Sequence, residues 1–292
     1  MKYSIIICSY NSSATLAYCL ESVASQTYKN YEVIFIDDGS TDETRSIVNK
    51  SLIHNKIRYY YQKNSGIAMA RNRGIQEATG EYLLFLDSDD TLNPNLLKKI
   101  DEYLRKFSCD IIRYNANRIE NNKILRKKYF LKSFSPFKGI DAILHFINSK
   151  VTYGPLWLYC YNRSFLLSLG IFFKPGTIHE DFLNCLWLAR ANSIGGISYI
   201  GYNYHKNSTS ITDIQRLDIV QNRFRDIIYY YDYVIKNLIP LYQSSECHKK
   251  KIVCSSLGFL INSLKYFKGT LYDCMVNEIK KRDVYNIFKE YK

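Results

Sequence analysis

Short apolar runs alternate with amphipathic segments through about the first 115 residues, the rhythm of a βαβ series. Tyr3–Ser9, Tyr31–Asp37, Ile57–Tyr61, residues 82–86 and residues 110–115 read as strands. Several of these are unbroken runs of Ile, Leu, Phe and Val, as strands covered on both faces are, which predicts a parallel sheet flanked by helices. Helical spacing fills the gaps: residues 14–25, residues 41–50 behind Ser40 as N-cap, residues 67–78 stopped at Gly80, and residues 94–107 with Pro94 at an early helical position.

From 116 to 137 the pattern is polar and irregular. Helices at Gly139–Asn148 and 180–191 bracket a stretch rich in Trp and Tyr, and residues 198–205 form a last strand. Beyond Ile214 the spacing is wholly helical, over 216–236, 246–268 and 271–289, punctuated by Pro240 and Gly269. A boundary near Asp213 therefore divides an α/β unit, 1–213, from a helical region, 214–292; the first unit divides again into 1–115 and 116–213.

The chain has 292 residues, 47% of them hydrophobic and 23% charged, enough to bury a full core. Fibrous repeats and low-hydrophobicity disorder are excluded, and no run of about 18 apolar residues is present to span a bilayer. Met1 leads directly into the first strand without a basic n-region or long apolar segment, so the expected location is the cytoplasm. The eight cysteines are widely spaced and form no Cys-x-x-Cys pair, which fits scattered thiols in a reducing compartment better than zinc or redox chemistry.

Lys and Arg number 40 against 27 Asp and Glu, a formal charge of +13, which calls for an anionic partner. Residues 223–235 mix aromatic, apolar and basic side chains, and Lys249-Lys250-Lys251 and Lys280-Lys281-Arg282 follow. Such helices suit the anionic inner face of a membrane, so the expectation is a peripheral protein held there by its C-terminal region; a packed, solvated helical face or a homo-oligomer contact uses the same residues. No nucleic-acid-binding module accompanies them, and nucleic acid is not expected as a partner.

Chemistry concentrates where the strands end, the place where open α/β sheets bind ligands. Four strands run into polar clusters: Cys8-Ser9-Tyr10-Asn11, Asp37-Asp38-Gly39-Ser40, Gln62-Lys63-Asn64-Ser65-Gly66 and Asp87-Ser88-Asp89-Asp90. Turn chemistry alone favours such residues. The fourth cluster is different, because three carboxylates at the end of a buried strand repel one another unless a cation or donor groups neutralise them. An Asp-x-Asp there suits Mn²⁺ or Mg²⁺, which bind oxygen ligands and complete their shells with phosphate oxygens.

Taken with Ser22-Val23-Ala24-Ser25-Gln26-Thr27-Tyr28 and Ala70-Arg71-Asn72-Arg73-Gly74, these clusters resemble, in order and spacing, the family 2 glycosyltransferases. The resemblance is dense over the first 115 or so residues and thins afterwards. Trp157 to Phe165 and Gly176-Thr177-Ile178-His179-Glu180-Asp181-Phe182 still look like the family's acceptor half.

The resemblance implies a GT-A fold, an α/β architecture with a Rossmann-like mixed sheet flanked by helices, here with a C-terminal helical extension. It also implies a metal-dependent, inverting transfer of a hexosyl or N-acetylhexosaminyl group from a UDP-sugar to a glycan or lipid-linked acceptor in bacterial capsule, lipopolysaccharide or cell-wall polysaccharide synthesis.

The residues can be assigned on that basis. Tyr10 offers an aromatic face to uracil, Asp38 an acceptor to the uracil N3–H or ribose, and Asp37 a brace for its own loop. Arg71 sets a permanent planar cation near the diphosphate. Asp87 would meet ribose or a metal-bound water, with Cys8, Asn11 and Ser88 completing the nucleotide-sugar set. Asp89 is the expected direct metal ligand and His205 a further one. Asp181 is the expected general base, with Glu180 second; both would equally suit the N-terminus of a helix. A nucleotidyltransferase would want a Gly-rich phosphate loop that Ser9-Tyr10-Asn11-Ser12-Ser13 lacks, and a non-catalytic glycan- or membrane-binding protein on the same fold is the remaining rival.

Overall fold

The computed structural model describes residues 1–121, 123–125, 129–177, 183–206, 217–242, 267 and 269–281. Strands β1 (Tyr3–Ser9), β2 (Tyr31–Asp37) and β3 (Ile57–Tyr61) lie where the apolar runs put them, and β4 (Tyr82–Asp87) extends its run by one residue. Every side chain of β1 and β2 is buried, as strands covered on both faces require. The helices α1 (Leu16–Ala24), α2 (Thr44–Lys50), α3 (Ile67–Glu77) and α4 (Leu96–Leu104) follow their strands. α3 packs on β1 and β2, close enough that a Cβ at Gly74 would fall 2.4 Å from Ile6 Cγ2.

The parallel sheet expected from the alternation is formed by β3-β2-β1-β4. Next to β4 comes β9 (Tyr159–Asn162), antiparallel to β4 and to β6 (Ile111–Glu120) on its other side. β10 (Ile194–His205) then runs parallel to β6, and β5 (Thr91–Leu92) closes that edge antiparallel to β10. The sheet is therefore mixed, as a GT-A fold has it. β9 gave no alternating signal because its Tyr-Cys-Tyr core is buried on both faces, so it merged with the surrounding aromatic stretch.

Within 116–137, the described residues form strands despite the polar pattern. β6 continues through Glu120, turns at Asn121 with φ 49°, and returns as β7 (Lys123–Leu125); β8 (Phe134–Phe137) pairs with the start of β10. α5 (Gly139–Asn148) matches its expected bounds, and α6 (Arg163–Leu169) follows β9. Of the expected helix 180–191, the described part is α7 (Asn184–Arg190), packed on α5. Beyond the boundary region, α8 (Leu217–Leu238) packs on α7, and α9 (Thr270–Lys281) packs on α8. The boundary at Asp213 and nearly all of the expected helix 246–268 lie outside the described residues. Among the described residues no helix is long and apolar enough to cross a membrane.

Candidate active site

Register brings the polar strand ends together. Cys8 pairs with Asp87 on β4, and Ser9 with Asp37 on β2, so the loops after β1, β2 and β4 leave one edge at one level. Cross-bonds then knit them. Asn11 adopts φ 49°, donates its N–H to Ser40 Oγ at 2.9 Å, and accepts the Thr41 N–H on Oδ1 at 2.8 Å. Ser13 N–H donates to Asp42 Oδ2, and Ser12 N–H to Thr44 Oγ1. These bonds are why Ser40 does not cap a helix: its hydroxyl serves the neighbouring loop, and α2 starts four residues later.

Asp37 braces its loop, as expected. Its carboxylate accepts the Ser40 N–H at 2.8 Å and a hydrogen bond from the Tyr59 hydroxyl. Asp38 is also heavily engaged: Gln62 Nε2 and the Ser65 and Gly66 N–H groups all donate to it at 2.7–2.9 Å. A carboxylate has about four acceptor positions, so Asp38 keeps room for one more donor while it shapes the loop before α3. Gly39 is required here by its φ of 88° and because a Cβ would fall 2.8 Å from Asn64 N.

Tyr10 stands at the mouth, 53% exposed, with its ring open to solvent. Cys8 lies beneath it, where burial pushes the thiol up to about 12, so it is a neutral wall beside Arg71 and Asp87. Arg71, one turn into α3, is buried and donates from its guanidinium to Asp87 Oδ1 at 2.9 Å. Ser88 joins the first loop through Ser12 Oγ at 2.8 Å, and its carbonyl accepts from Thr15 Oγ1.

Asp89 is half-buried between Ser88 and Asp90. Asp90 is fully buried, accepting from the Tyr202 hydroxyl at 2.6 Å and from the His205 N–H at 2.7 Å. Burial, and then the neighbouring charges of Asp87 and Asp89, raise its carboxyl well above the ordinary range. The His205 ring meets Thr91 Oγ1 at 3.1 Å, and burial lowers its pKa below the ordinary imidazole value.

Among the described residues no three His, Cys, Asp or Glu side chains gather into a ligand cage. Mg²⁺ and Mn²⁺ need none when phosphate supplies the other oxygens. Two carboxylates at one strand end, whose combined charge already burdens Asp90, are donor chemistry that fits such an ion. Glu180 and Asp181 lie outside the described residues.

Three contributors were not singled out from the sequence: Ser12, Gln62 and Tyr202. Gln62 stands inside one polar cluster and Ser12 directly follows another, so position was the available signal. Tyr202 lies 112 residues from Asp90 and carried none.

The mixed sheet gathers its polar loops at the C-terminal ends of β1, β2 and β4, where open α/β sheets bind ligands. Residues 4–162 match the Glycosyl transferase family 2 profile, and the chain belongs to that family. The glycosyltransferase YibD of Escherichia coli (strain K12) is 29% identical over 222 residues, covering 74% of this chain and 64% of that protein. The glycosyltransferase GlyG of Streptococcus pneumoniae is 34% identical over 124 residues, 41% of each chain. A cholesterol galactosyltransferase of Borreliella burgdorferi is 30% identical over 152 residues, 52% of this chain and 39% of that one. The matched part spans less than two thirds of each of these relatives. Residues 1–349 of S. aureus TarS, solved in complex with UDP-GlcNAc, superpose with a TM-score of 0.63 at 19% identity, over 100% of this chain and 91% of that one. That likeness confirms the GT-A architecture.

Proposed function

We propose that the protein transfers a sugar from a UDP-sugar to a hydroxyl of a glycan or lipid-linked acceptor, with inversion at the anomeric carbon, in bacterial surface polysaccharide synthesis. The observation that carries this reading is the buried Arg71 donating to Asp87 beside Asp89, at the edge where Tyr10 exposes its ring. One element offers an aromatic face, another a fixed cation, and a third the carboxylates. A UDP moiety needs all three.

In this reading Tyr10 stacks on uracil, and the Asp38-braced loop accepts from the base or ribose. Asn11 and Ser88 hold the two loops that flank the diphosphate, and Cys8 lines the floor. Asp89, with Asp87 in support and His205 near the same strand end, would hold Mn²⁺ or Mg²⁺, whose charge stabilises the departing diphosphate. The acceptor oxygen forms a bond to the anomeric carbon as the bond from that carbon to the diphosphate oxygen breaks. Asp181 takes the hydroxyl proton, Glu180 orients the acceptor loop, and UDP leaves with the electron pair. Arg71 meets the charge that develops on it. Residues 214–292 act as a helical extension of this unit.

The test is UDP release from a panel of UDP- and GDP-sugars, with Mn²⁺ present and then chelated. Release from a UDP-sugar that stops on chelation and resumes on adding Mn²⁺ is the expected result. Release that is indifferent to chelation would remove the metal, and no release from any sugar nucleotide would leave a binding protein on this fold.

A further inference from the structure

Tyr129, Trp157, Tyr202 and Tyr204 gather beside the acidic cluster, and of these only Tyr202 entered the candidate site. The Trp157 ring centre lies 4.6 Å from that of Tyr202 and 5.6 Å from that of Tyr204, at interplanar angles of 13° and 14°. Tyr129 meets Trp157 at 5.6 Å, tilted by 46°. Trp157 and Tyr202 are buried, whereas Tyr129 and Tyr204 keep part of their surface open. Tyr202 and Tyr204 share one face of β10, where their partners on β6 are Ala116 and Arg118.

Tyr129 sits in a turn outside any helix or strand, yet buried polar groups fix its place. Asn115 takes both backbone groups of Leu131, donating to its carbonyl at 2.8 Å and accepting its N–H at 2.9 Å. Arg113, 1% exposed, donates to the Tyr129 carbonyl at 3.4 Å and to the Thr152 carbonyl at 3.2 Å. Burying an arginine and an asparagine is costly unless they are hydrogen-bonded, and here both hold the short segment that sets Tyr129 against Trp157. Charged groups edge the rings. Arg118, opposite Tyr204, donates to Glu120 Oε2 at 2.9 Å, and Lys206 lies 3.2 Å from Oε1, with 29–31% of each side chain exposed. Aromatic faces bordered by fixed polar groups suit a pyranose, whose C–H face is apolar and ring-sized and whose hydroxyls project around its edge.

The topology says which sugar this is. β9 is antiparallel to both its neighbours, so β6 and β10 run parallel to β4 and end at the same edge of the sheet as the acidic cluster. Trp157, two residues before β9, emerges at that edge as well. The strand order β2-β1-β4-β9-β6-β10 puts Tyr10 on one side of Asp87 and Asp89 and the aromatic group on the other. The Tyr202 hydroxyl joins the two, donating to Asp90 at 2.6 Å and accepting the Asp87 N–H at 3.3 Å. In-line attack needs the acceptor across the anomeric carbon from the diphosphate; with the nucleotide at Tyr10, that is the side of the aromatic group. We propose that Tyr129 and Tyr204, backed by Trp157 and edged by Arg118, Glu120 and Lys206, form a binding platform for a pyranose unit of the acceptor. The acceptor role rests on the sugar-transfer reading, whereas the platform itself is read by sugar binding alone.

The experiment is saturation-transfer NMR of the full chain with the methyl β-pyranosides of glucose, galactose and N-acetylglucosamine as probes, with UDP affinity measured alongside by calorimetry. Tyr129→Leu and Tyr204→Leu keep bulk and remove the aromatic face; Tyr204→Phe keeps the face; Tyr18→Leu, on α1 and 70% exposed, is the control. The parent is expected to bind at least one probe, with saturation strongest at the C–H protons of one ring face. Each leucine variant is expected to lose about tenfold in probe affinity, while Tyr204→Phe and Tyr18→Leu stay within about twofold of the parent. UDP affinity should be the same in all of them. No binding of any probe by the parent, saturation spread evenly over both ring faces, binding that survives both leucine variants, or an equal loss of UDP affinity would each overturn the proposal; the first two need no variant to fold. A parent that binds a probe in this way but releases UDP from no sugar nucleotide supports the platform and removes the transfer reading. UDP release without probe binding removes the platform and leaves transfer standing.

Discussion

The Arg71 guanidinium donates to Asp87 Oδ1 at 2.9 Å from a buried position on α3, so the first carboxylate of the acidic cluster carries its own counter-charge. Asp90 lies just beyond it, where burial and then the charges of Asp87 and Asp89 raise its carboxyl well above the ordinary range. Arg71 thus sets a fixed cation at the strand edge where the acidic cluster begins. Arg71→Met is therefore expected to lower the rate of UDP release by about 10²–10³-fold, the usual loss when one preorganised donor to a developing anion is removed. Its melting temperature should move little, since the Asp87 side chain is 32% exposed and can hydrate. Initial rates and thermal melts decide it, and a rate within a few-fold of the parent would detach the pair from turnover.

Asp89→Asn keeps the side-chain shape and removes the charge that holds a hard cation. UDP binding in the presence of Mn²⁺, followed by calorimetry, should collapse together with transfer. Asp181→Asn is expected to behave differently, losing transfer by about 10²–10⁴-fold while binding Mn²⁺ and UDP-sugar nearly as the parent does. If Asp181→Asn keeps its turnover while Glu180→Gln is dead, the base is Glu180.

Tyr10 is open to solvent at the end of β1, so truncating it creates no cavity. Stacking on a base is worth about 1–3 kcal/mol by alanine substitution. Tyr10→Ala should bind UDP about tenfold more weakly with an unchanged melting temperature, and an unchanged affinity removes the ring from the site.

Asp90 supplies a pH signature. Folding raises its pKa through burial and the charges of Asp87 and Asp89, so the native state holds a proton that the unfolded chain releases above about pH 4. Native stability therefore falls as pH rises from that point until Asp90 itself ionises. Asp90→Asn, which can still accept from the His205 N–H, is expected to melt at or above the parent's temperature at pH 8 and to lose that advantage as pH approaches 4. Melting curves of both proteins across this range, in the absence of metal, test it.

Glu32 has the opposite sign. Burial alone would raise its carboxyl, but Ser4, Thr79 and Lys2 donate to it and hold it down at about 2. The stability it provides is complete above the unfolded pKa near 4.3 and fades as pH falls toward 2. Glu32→Gln should cost about 2 kcal/mol at neutral pH and flatten the acid limb of the stability profile. Urea midpoints from pH 7 down to 2.5 provide the check.

Much of the nucleotide half was legible because its signals are local. β1 and β2 are buried on both faces and nearly all apolar, so they have the bounds read from their runs; β3 has its expected bounds as well, although its residues stay partly exposed. Asp37 and Asp38 follow a buried strand, and turn chemistry makes them brace the backbone around them. Local signals also misled where a polar group had a better partner far away. Ser40 has the look of a helix cap, yet its hydroxyl accepts from Asn11, 29 residues earlier. Pro94 stands ahead of α4 with its carbonyl taken by the Thr27 N–H.

By itself, then, the sequence determined the βαβ series, the α/β class and the four polar strand ends, because hydrophobic period and turn chemistry act over a few residues. It did not contain the order of the strands. Whether β9 enters antiparallel between β4 and β6, and whether Tyr202 reaches Asp90 from 112 residues away, depends on which distant surfaces bury each other. Tertiary packing made those choices, and with them it set the acidic cluster against β10 and turned the β6–β7 hairpin outward. Ile124 and Leu125 are ordinary apolar residues in the sequence; only the strand pairing that leaves them exposed sets them apart.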